Sequence, residues 1–309
     1  MFIEKRTSKS SVKYYLVHSF RDSLGKTRKI RKFLGSNLSP AELTVQKKAA
    51  TKEIENEIAK LLTKVFFFSL TEREKSKLNS YSERIAILHL GKEEWQRFTE
   101  QFVYNTNAIE GSQVQEDAIP KAMSQPNPRD SDELEAAGVK QAVNYIRTTR
   151  DDVSLQLLLT MHKLCFEKTK SFAGSFRNVN VIIRDGKGAI VHRGTRVEEL
   201  QEALNDLVEW YKENKTNFAP LALAAIMHNQ FEHIHPFQDG NGRVGRLLLN
   251  FILLKHKYPP INILFENRMQ YYKTLQEYHK SQDLIPTMRF LTQQYKKTYK
   301  QVTTKRKKQ

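Results

Sequence analysis

The 309-residue chain (36.1 kDa) holds 51 Lys and Arg against 34 Asp and Glu, a formal net charge of +17, with 39% hydrophobic residues. That length is about two domains' worth at roughly 150 residues each, enough to bury a core. Cys165 is the only cysteine, which excludes a disulfide scaffold. Apolar runs such as Leu221 to Met227 fall far short of the roughly 20 residues a bilayer needs, which excludes a membrane-spanning helix and a membrane partner.

Charge gathers at the two ends. Residues 1–33 hold ten basic and two acidic side chains, and residues 296–309 hold seven basic and none acidic. Such ends serve solubility, and they also steer a chain toward nucleic acid or another polyanion. Met1 to Thr7 lacks the apolar core of a signal segment, so the expected location is the cytoplasm.

In chain order, Val12–Val17 and Thr27–Leu34 flank a turn through Arg21–Lys26, which predicts a basic β-hairpin within residues 1–36. A hairpin alone is marginal and must lean on other structure. Helices follow over 37–97. Ser39-Pro40-Ala41-Glu42 and Thr71-Glu72-Arg73-Glu74 are capping boxes, the first with proline at the first helical position. Residues 124–132, with Pro126 and Pro128, read as a loop. Val179–Ile183 and Ala189–His192 flank Arg184-Asp185-Gly186-Lys187-Gly188, a second hairpin whose edge could take an extended peptide. A third capping box, Thr195-Arg196-Val197-Glu198, opens a helix that buries Leu200, Leu204, Leu207, Val208 and Tyr211. The rest is mainly α, with a basic flexible tail expected over 295–309.

The chemistry-bearing stretch is His235-Pro236-Phe237-Gln238-Asp239-Gly240-Asn241-Gly242-Arg243-Val244-Gly245-Arg246. Apolar residues at helical spacing lie upstream (Leu223, Ile226, Met227, Phe231) and downstream (Leu247, Leu248, Phe251, Ile252), so the chain reads helix, glycine-rich loop, helix. Gly240, Asn241 and Gly242 fall where the second helix begins, and its free amides and dipole make an anion site there. Arg243 and Arg246 lie one turn apart beside it. Asp239 offers a hard carboxylate for Mg²⁺ on phosphates, and His235 a base that titrates near neutrality.

Three other readings compete. Gly240 to Gly245 matches G-x-G-x-x-G, with the strand-like Ile261–Phe265 and Glu266 downstream, as in dinucleotide binding. That fingerprint needs a strand before its glycines, and here a helix ending in His-Pro precedes them. His228, Glu232, His233 and His235 could ligate zinc, but their spacing does not put the histidines on one helical face. The third reading is a polar connection between helices.

At these residues the chain resembles the Fic family, whose signature HPFx(D/E)GNGRxxR is matched by His235 through Arg246 at every defined position. The resemblance extends from about residue 98 to 294. Gly174-Ser175-Phe176-Arg177 and Met161-His162 are also similar to the family. It implies a mainly α, Fic-type helical bundle with a β-hairpin flap, and transfer of AMP from ATP to a Ser, Thr or Tyr hydroxyl of a protein target. On that basis His235 would deprotonate the hydroxyl, Phe237 would anchor the loop, and Asp239 would hold Mg²⁺. Gly240, Asn241 and Gly242 would cradle the α-phosphate, and Arg243 and Arg246 would hold the outer phosphates. The flap, with Val181, Ile182, Ile183 and Val191, would clamp the target.

Thr106-Asn107-Ala108-Ile109-Glu110-Gly111 resembles the family's inhibitory signature (S/T)xxxE(G/N). It implies that Glu110 pairs with Arg246 and misaligns ATP. In some members this Glu also supports removal of AMP. The resemblance leaves a homodimer open. The reading from a different class is a nucleic-acid-associated binding protein whose core senses nucleotide.

Overall fold

The computed structural model describes residues 1–8, 11–21, 27–125, 130–184, 186 and 188–304. The expected turn at 22–26, part of the loop at 126–129, positions 185 and 187 of the second turn, and residues 305–309 lie outside the described residues. The chain divides into two compact units, Met1–Lys77 and Leu78–Gln309.

The first unit opens on a three-stranded antiparallel sheet in the order β1 (Phe2–Ser8), β2 (Ser11–Arg21), β3 (Thr27–Ser36). The expected hairpin is therefore two strands of three. The segment Phe2–Ser8 carries Glu4, Lys5 and Arg6, too polar to announce a strand, yet Phe2 pairs with Val17 and Arg6 with Lys13. Alternation then sorts the side chains by face. Leu16, Ile30 and Leu34 point to α1 (Pro40–Leu61) and form a core with Ala50 and Ile54. The Ser39 capping box forms at the start of α1, with Glu42 N–H donating to Ser39 Oγ and Ser39 N–H to Glu42 Oε2 at 2.9 Å. β4 (Leu62–Val65) and β5 (Phe68–Thr71) make a second small sheet. The Thr71–Glu74 box forms at the head of α2 (Glu72–Asn79).

The second unit is a helical bundle: α3 (Lys92–Ile109), α4 (Ile119–Ala122), α5 (Ser131–Thr148), α6 (Leu155–Phe166), α7 (Val197–Asn214), α8 (Pro220–Ile234), α9 (Asn241–Lys255), α10 (Arg268–Ser281) and α11 (Ile285–Thr304), with the hairpin β6 (Ile182–Arg184) and β7 (Ile190–Arg193). Helix α8 is buried on every side from Leu221 to Glu232, which is why its sequence is apolar all round; inside it Asn229 Nδ2 donates to Thr287 Oγ1 and Gln230 Oε1 accepts from Tyr278 Oη. Helices α7, α9, α10 and α11 pack on α8, and α9 also meets α3, α5 and α6. The loop between α8 and α9 thus hangs from the two most buried helices.

Three expectations need correction. The Thr195 capping box does not form: α7 begins after Arg196, and Asn180 Oδ1 accepts the Val197 N–H at 3.0 Å instead. Thr195 is occupied elsewhere, donating its own N–H to Ile234 O. Ile261–Phe265 is not a strand. Side chains satisfy its backbone: Asn250 on Ile261, Thr298 on Asn262, Gln294 on Leu264 and Asn105 on Phe265. The tail from 295 is not frayed at its start, because α11 runs to Thr304 and buries Tyr295, Thr298 and Tyr299.

Candidate active site

Helix α8 ends where His235 turns left-handed, at φ 54°. Arg177 fixes that turn. Its Nε donates to His235 O (2.8 Å), its Nη1 to Val179 O (2.8 Å), its Nη2 to Thr195 O and Ile234 O, and its backbone N–H to Pro236 O. One guanidinium therefore ties the end of α8 to the chain on both sides of the flap. Phe237 is fully buried and lies flat on His162, with ring centroids 4.0 Å apart. The Asn241 side-chain amide brackets Phe237, accepting its N–H and donating to its C=O, each at 2.8 Å. Gly174 N–H donates to His162 Nδ1, so Nε2 carries the proton and donates to Asp239 O at 3.1 Å. Burial pushes His162 down to about 4, which keeps that neutral form.

Gly240 opens α9 at φ 81°, and a Cβ there would lie 2.3 Å from the Phe166 ring; both conditions demand glycine. The first amides of α9 have no partner within the helix, and its dipole favours an anion in front of them. A carboxylate already stands there. A Cβ on Gly242 would meet Glu110 Oε1 at 2.2 Å, so Glu110 lies directly against this helix end. Arg246, 2% exposed, donates from Nη2 to Glu110 Oε1 (2.8 Å) and to Thr106 O (2.9 Å), and from Nε to Thr106 Oγ1 (2.7 Å). Its Nη1 is buried without a hydrogen-bond partner among the described residues. Burial opposes the Arg246 charge, but Glu110 outweighs it and the pKa is raised. An orphaned guanidinium nitrogen beside a helix amino terminus fits a phosphate oxygen.

Asp239 sits at the rim with its side chain 47% exposed. Burial favours its neutral form, but Lys170 at 2.8 Å and Arg243 at 3.9 Å outweigh this and keep it ionised. One accessible carboxylate beside an anion cradle is the donor set with which Mg²⁺ is shared between protein and phosphates. His235, 20% exposed, is pushed down to about 4 by burial, so at neutral pH it is an unprotonated base. Its Nδ1 lies 4.0 Å from Glu232 Oε2, and burial pushes Glu232 up to about 8. Behind them His228 Nε2 meets Tyr271 Oη at 2.9 Å.

The structure thus brings together His235, Asp239, Gly240, Gly242, Arg246, Thr106 and Glu110, from two separate stretches of chain. Gly111, at φ 96°, lets the chain leave α3 after Glu110. Arg243 differs from expectation. It is 5% exposed, pairs with Glu135, contacts Asn107, and lies over the Phe166 ring at 4.3 Å. Asn241 also turns inward, so only its backbone faces the cradle. The hairpin is shorter than read: Ile182 pairs with Arg193 and Ile183 with His192, while Val181 precedes the strand and binds Gly194 N–H through its carbonyl. Ile182 and Ile190 are each 43% exposed, and Val191 is half-buried. Sequence reading missed Lys170, Glu135 and Glu232. The first two sit far from the loop in sequence, and Glu232 reads in sequence only as a zinc ligand beside His228, His233 and His235, not as a buried neighbour of His235.

Residues 152–253 match the Fic/DOC family model. Among curated proteins, protein adenylyltransferase fic-1 of Caenorhabditis elegans is 32% identical over 203 residues, covering 62% of this chain and 38% of the relative. Protein adenylyltransferase Fic of Aedes aegypti is 30% identical over 235 residues, covering 72% of this chain and 45% of the relative. The chain therefore spans less than half the length of these relatives. The solved structure of C. elegans Fic-1 (aa134–508) superposes with a TM-score of 0.63 over 88% of this chain and 79% of that one, at 22% identity, which shows the same mainly α fold. The dinucleotide reading falls here, since the glycines follow a buried helix.

Proposed function

We propose that the chain is an ATP-dependent protein adenylyltransferase, held inhibited by Glu110. The observation that carries this is a neutral His235 held beside the amino terminus of α9, whose first amides have no partner within the helix, both fixed by buried anchors. In the reaction, the oxygen of a Ser, Thr or Tyr hydroxyl attacks the α-phosphorus of ATP. Its proton passes to His235, the bond to the bridging oxygen of the β-phosphate breaks, and pyrophosphate leaves. Such transfer is helped mainly by positioning and charge neutralisation. The backbone of Gly240, Asn241 and Gly242 supplies fixed dipoles for the phosphates, and Arg246, supported by Arg243, supplies positive charge behind them. Asp239 would hold Mg²⁺, which neutralises phosphate charge when bound. The exposed edge at Ile182 and Ile190 suits main-chain pairing with an extended target segment.

The test is label transfer to protein from ATP labelled at the α- or the γ-phosphate. α-label should be transferred, γ-label should not, and His235→Ala should bind ATP yet transfer neither. Transfer from the γ-position, or full transfer by His235→Ala, would contradict the proposal.

A second activity is supported by the outer face of the β1–β3 sheet. The pairing register puts Arg6, Lys13, Lys29 and Arg31 there with Phe2, Tyr15 and Phe33, together with Glu4, which pairs with Arg6 at 2.8 Å and Arg31 at 2.9 Å; Phe2 and Phe33 are more than half exposed. Basic side chains interleaved with aromatic rings suit a single-stranded nucleic acid, with bases on the rings and phosphates on the cations. Binding that weakens steeply with salt in the wild type, and is lost in Tyr15→Ala/Phe33→Ala, checks it.

A further inference from the structure

Three imidazoles from distant parts of the chain meet beside the catalytic loop: His192 on β7, His233 in the last turn of α8 and His279 in the last turn of α10. We propose that His192, His233 and His279 form a binding site for a borderline divalent transition ion, Zn²⁺ foremost. The site is separate from Asp239 and independent of the proposed transfer reaction.

One ring nitrogen from each histidine lies within 4.8 Å of the other two. His233 Nδ1 and His279 Nδ1 are 3.2 Å apart. Two nitrogens on a tetrahedral zinc, each bonded at about 2.0–2.1 Å, stand about 3.3 Å apart, so this pair is already spaced as two ligands of one ion. His192 Nε2 lies 2.7 Å from the carbonyl oxygen of His233. A carbonyl only accepts, so Nε2–H donates and Nδ1 keeps the lone pair that a metal requires. Metal-binding histidines are commonly oriented by such a carbonyl. The rings of His192 and His279 are stacked at 3.7 Å and nearly parallel, and ring lone pairs lie in the ring plane. Ligation by all three therefore tips the His192 ring out of the stack, onto the half of the site already in place.

The chemistry selects the ion. Three imidazoles without a carboxylate suit Zn²⁺, Co²⁺ or Ni²⁺ and do not suit Mg²⁺, which prefers oxygen. Burial lowers the pKa of all three, to about 4 for His233 and about 2 for His279, so the neutral ligating form prevails at pH 7. Sequence spacing hid the site, because only His233 lies on α8 and its partners are 41 and 46 residues away. A bound ion would tie flap strand β7 to the helix that ends in His235.

The test uses the full chain, free of any polyhistidine tag and stripped with chelator, titrated with Co²⁺. The wild type should bind one equivalent with the intense visible bands of a tetrahedral site, and Zn²⁺ should raise its melting temperature. His192→Gln and His279→Gln, each confirmed folded by circular dichroism, should bind more weakly by over about tenfold and lose the shift. Asp239→Ala should keep both. Wild-type binding no tighter than that of the His192→Gln/His279→Gln double variant, or binding lost in Asp239→Ala, would overturn the proposal.

Discussion

Glu110 accepts a 2.8 Å hydrogen bond from Arg246 Nη2 while its Oε1 lies where the first side-chain carbon of any other residue at 242 would go. The carboxylate therefore fills the same anion site that α9 offers to a phosphate, and it does so from α3, more than a hundred residues earlier in the chain. Two negative groups competing for one helix end and one guanidinium give a direct physical basis for inhibition. On the proposed function, Glu110 and the terminal phosphate of ATP would compete for this place.

Glu110→Gly should lower the stability of the nucleotide-free protein by about 1–3 kcal/mol, because Arg246 keeps its bonds to Thr106 but loses its counter-charge. ATP with Mg²⁺ should offset a loss of that size, since binding at about a hundred times Kd contributes about 2.7 kcal/mol. Thermal melts of both proteins with and without nucleotide check this. An ATP-induced shift no larger in the variant than in the wild type would count against competition for the site.

Gly242 and Glu110 should be energetically coupled. Gly242→Ala drives its new methyl into Glu110 Oε1. In the wild-type background it should therefore cost about 1–3 kcal/mol more than in Glu110→Gly, where that oxygen is gone. Chemical denaturation of the four proteins of the cycle measures the difference, and additive effects would mean that the two residues do not touch.

Much of this site was legible in the sequence, for identifiable reasons. His235 to Arg246 is continuous, so helix, loop and helix with glycines at the second start could be read from periodicity alone. Glu110 could be read only through its resemblance to a known signature, because nothing local distinguishes it from an acid at a helix end. Lys170 and Glu135 act through contacts that the bundle creates, and local pattern carries no trace of them; Arg177 stands in sequence only within a stretch similar to the family, with no sign of its anchoring role. Strand β1 was missed for a related reason: its residues are polar because one face is solvated, and it pairs only because β2 is alongside. The Thr195 capping box was a false signal, since tertiary structure uses that backbone to hold the flap and caps α7 from Asn180.

Arg177→Ala should be severe although Arg177 lies outside the signature. It leaves the carbonyls of His235, Val179 and Thr195 without that donor, while Ile234 O keeps the Thr195 N–H, at an expected cost of about 3 kcal/mol or more. Arg177→Lys should rescue little, because an ammonium cannot span those acceptors as a planar fork does. Melting temperatures of the two variants test this, and near-wild-type stability in the lysine variant would contradict the anchoring role.

The pH dependence of stability should have two limbs. Burial lowers His162, His228, His233 and His235 to about 4 from 6.5, so their contribution is complete above pH 6.5 and is lost as pH falls through 4. Glu232 runs the other way. Burial raises it to about 8 from 4.5, so its contribution is complete below pH 4.5 and is lost as pH rises through 8. Melting temperature against pH should show both losses, and Glu232→Gln should remove the alkaline one alone. An unchanged alkaline limb in that variant would show that Glu232 is not buried as described.

The most direct test of the account is incorporation of α-labelled AMP into protein by wild type, Glu110→Gly and Glu110→Gly/His235→Ala, incubated with ATP, Mg²⁺ and a cell lysate or with themselves alone. The account predicts weak labelling by the wild type, a rise of about tenfold or more in Glu110→Gly, and none in the double variant. Equal labelling by wild type and Glu110→Gly would contradict inhibition by Glu110. Persistent labelling without His235 would contradict the chemistry assigned to the loop.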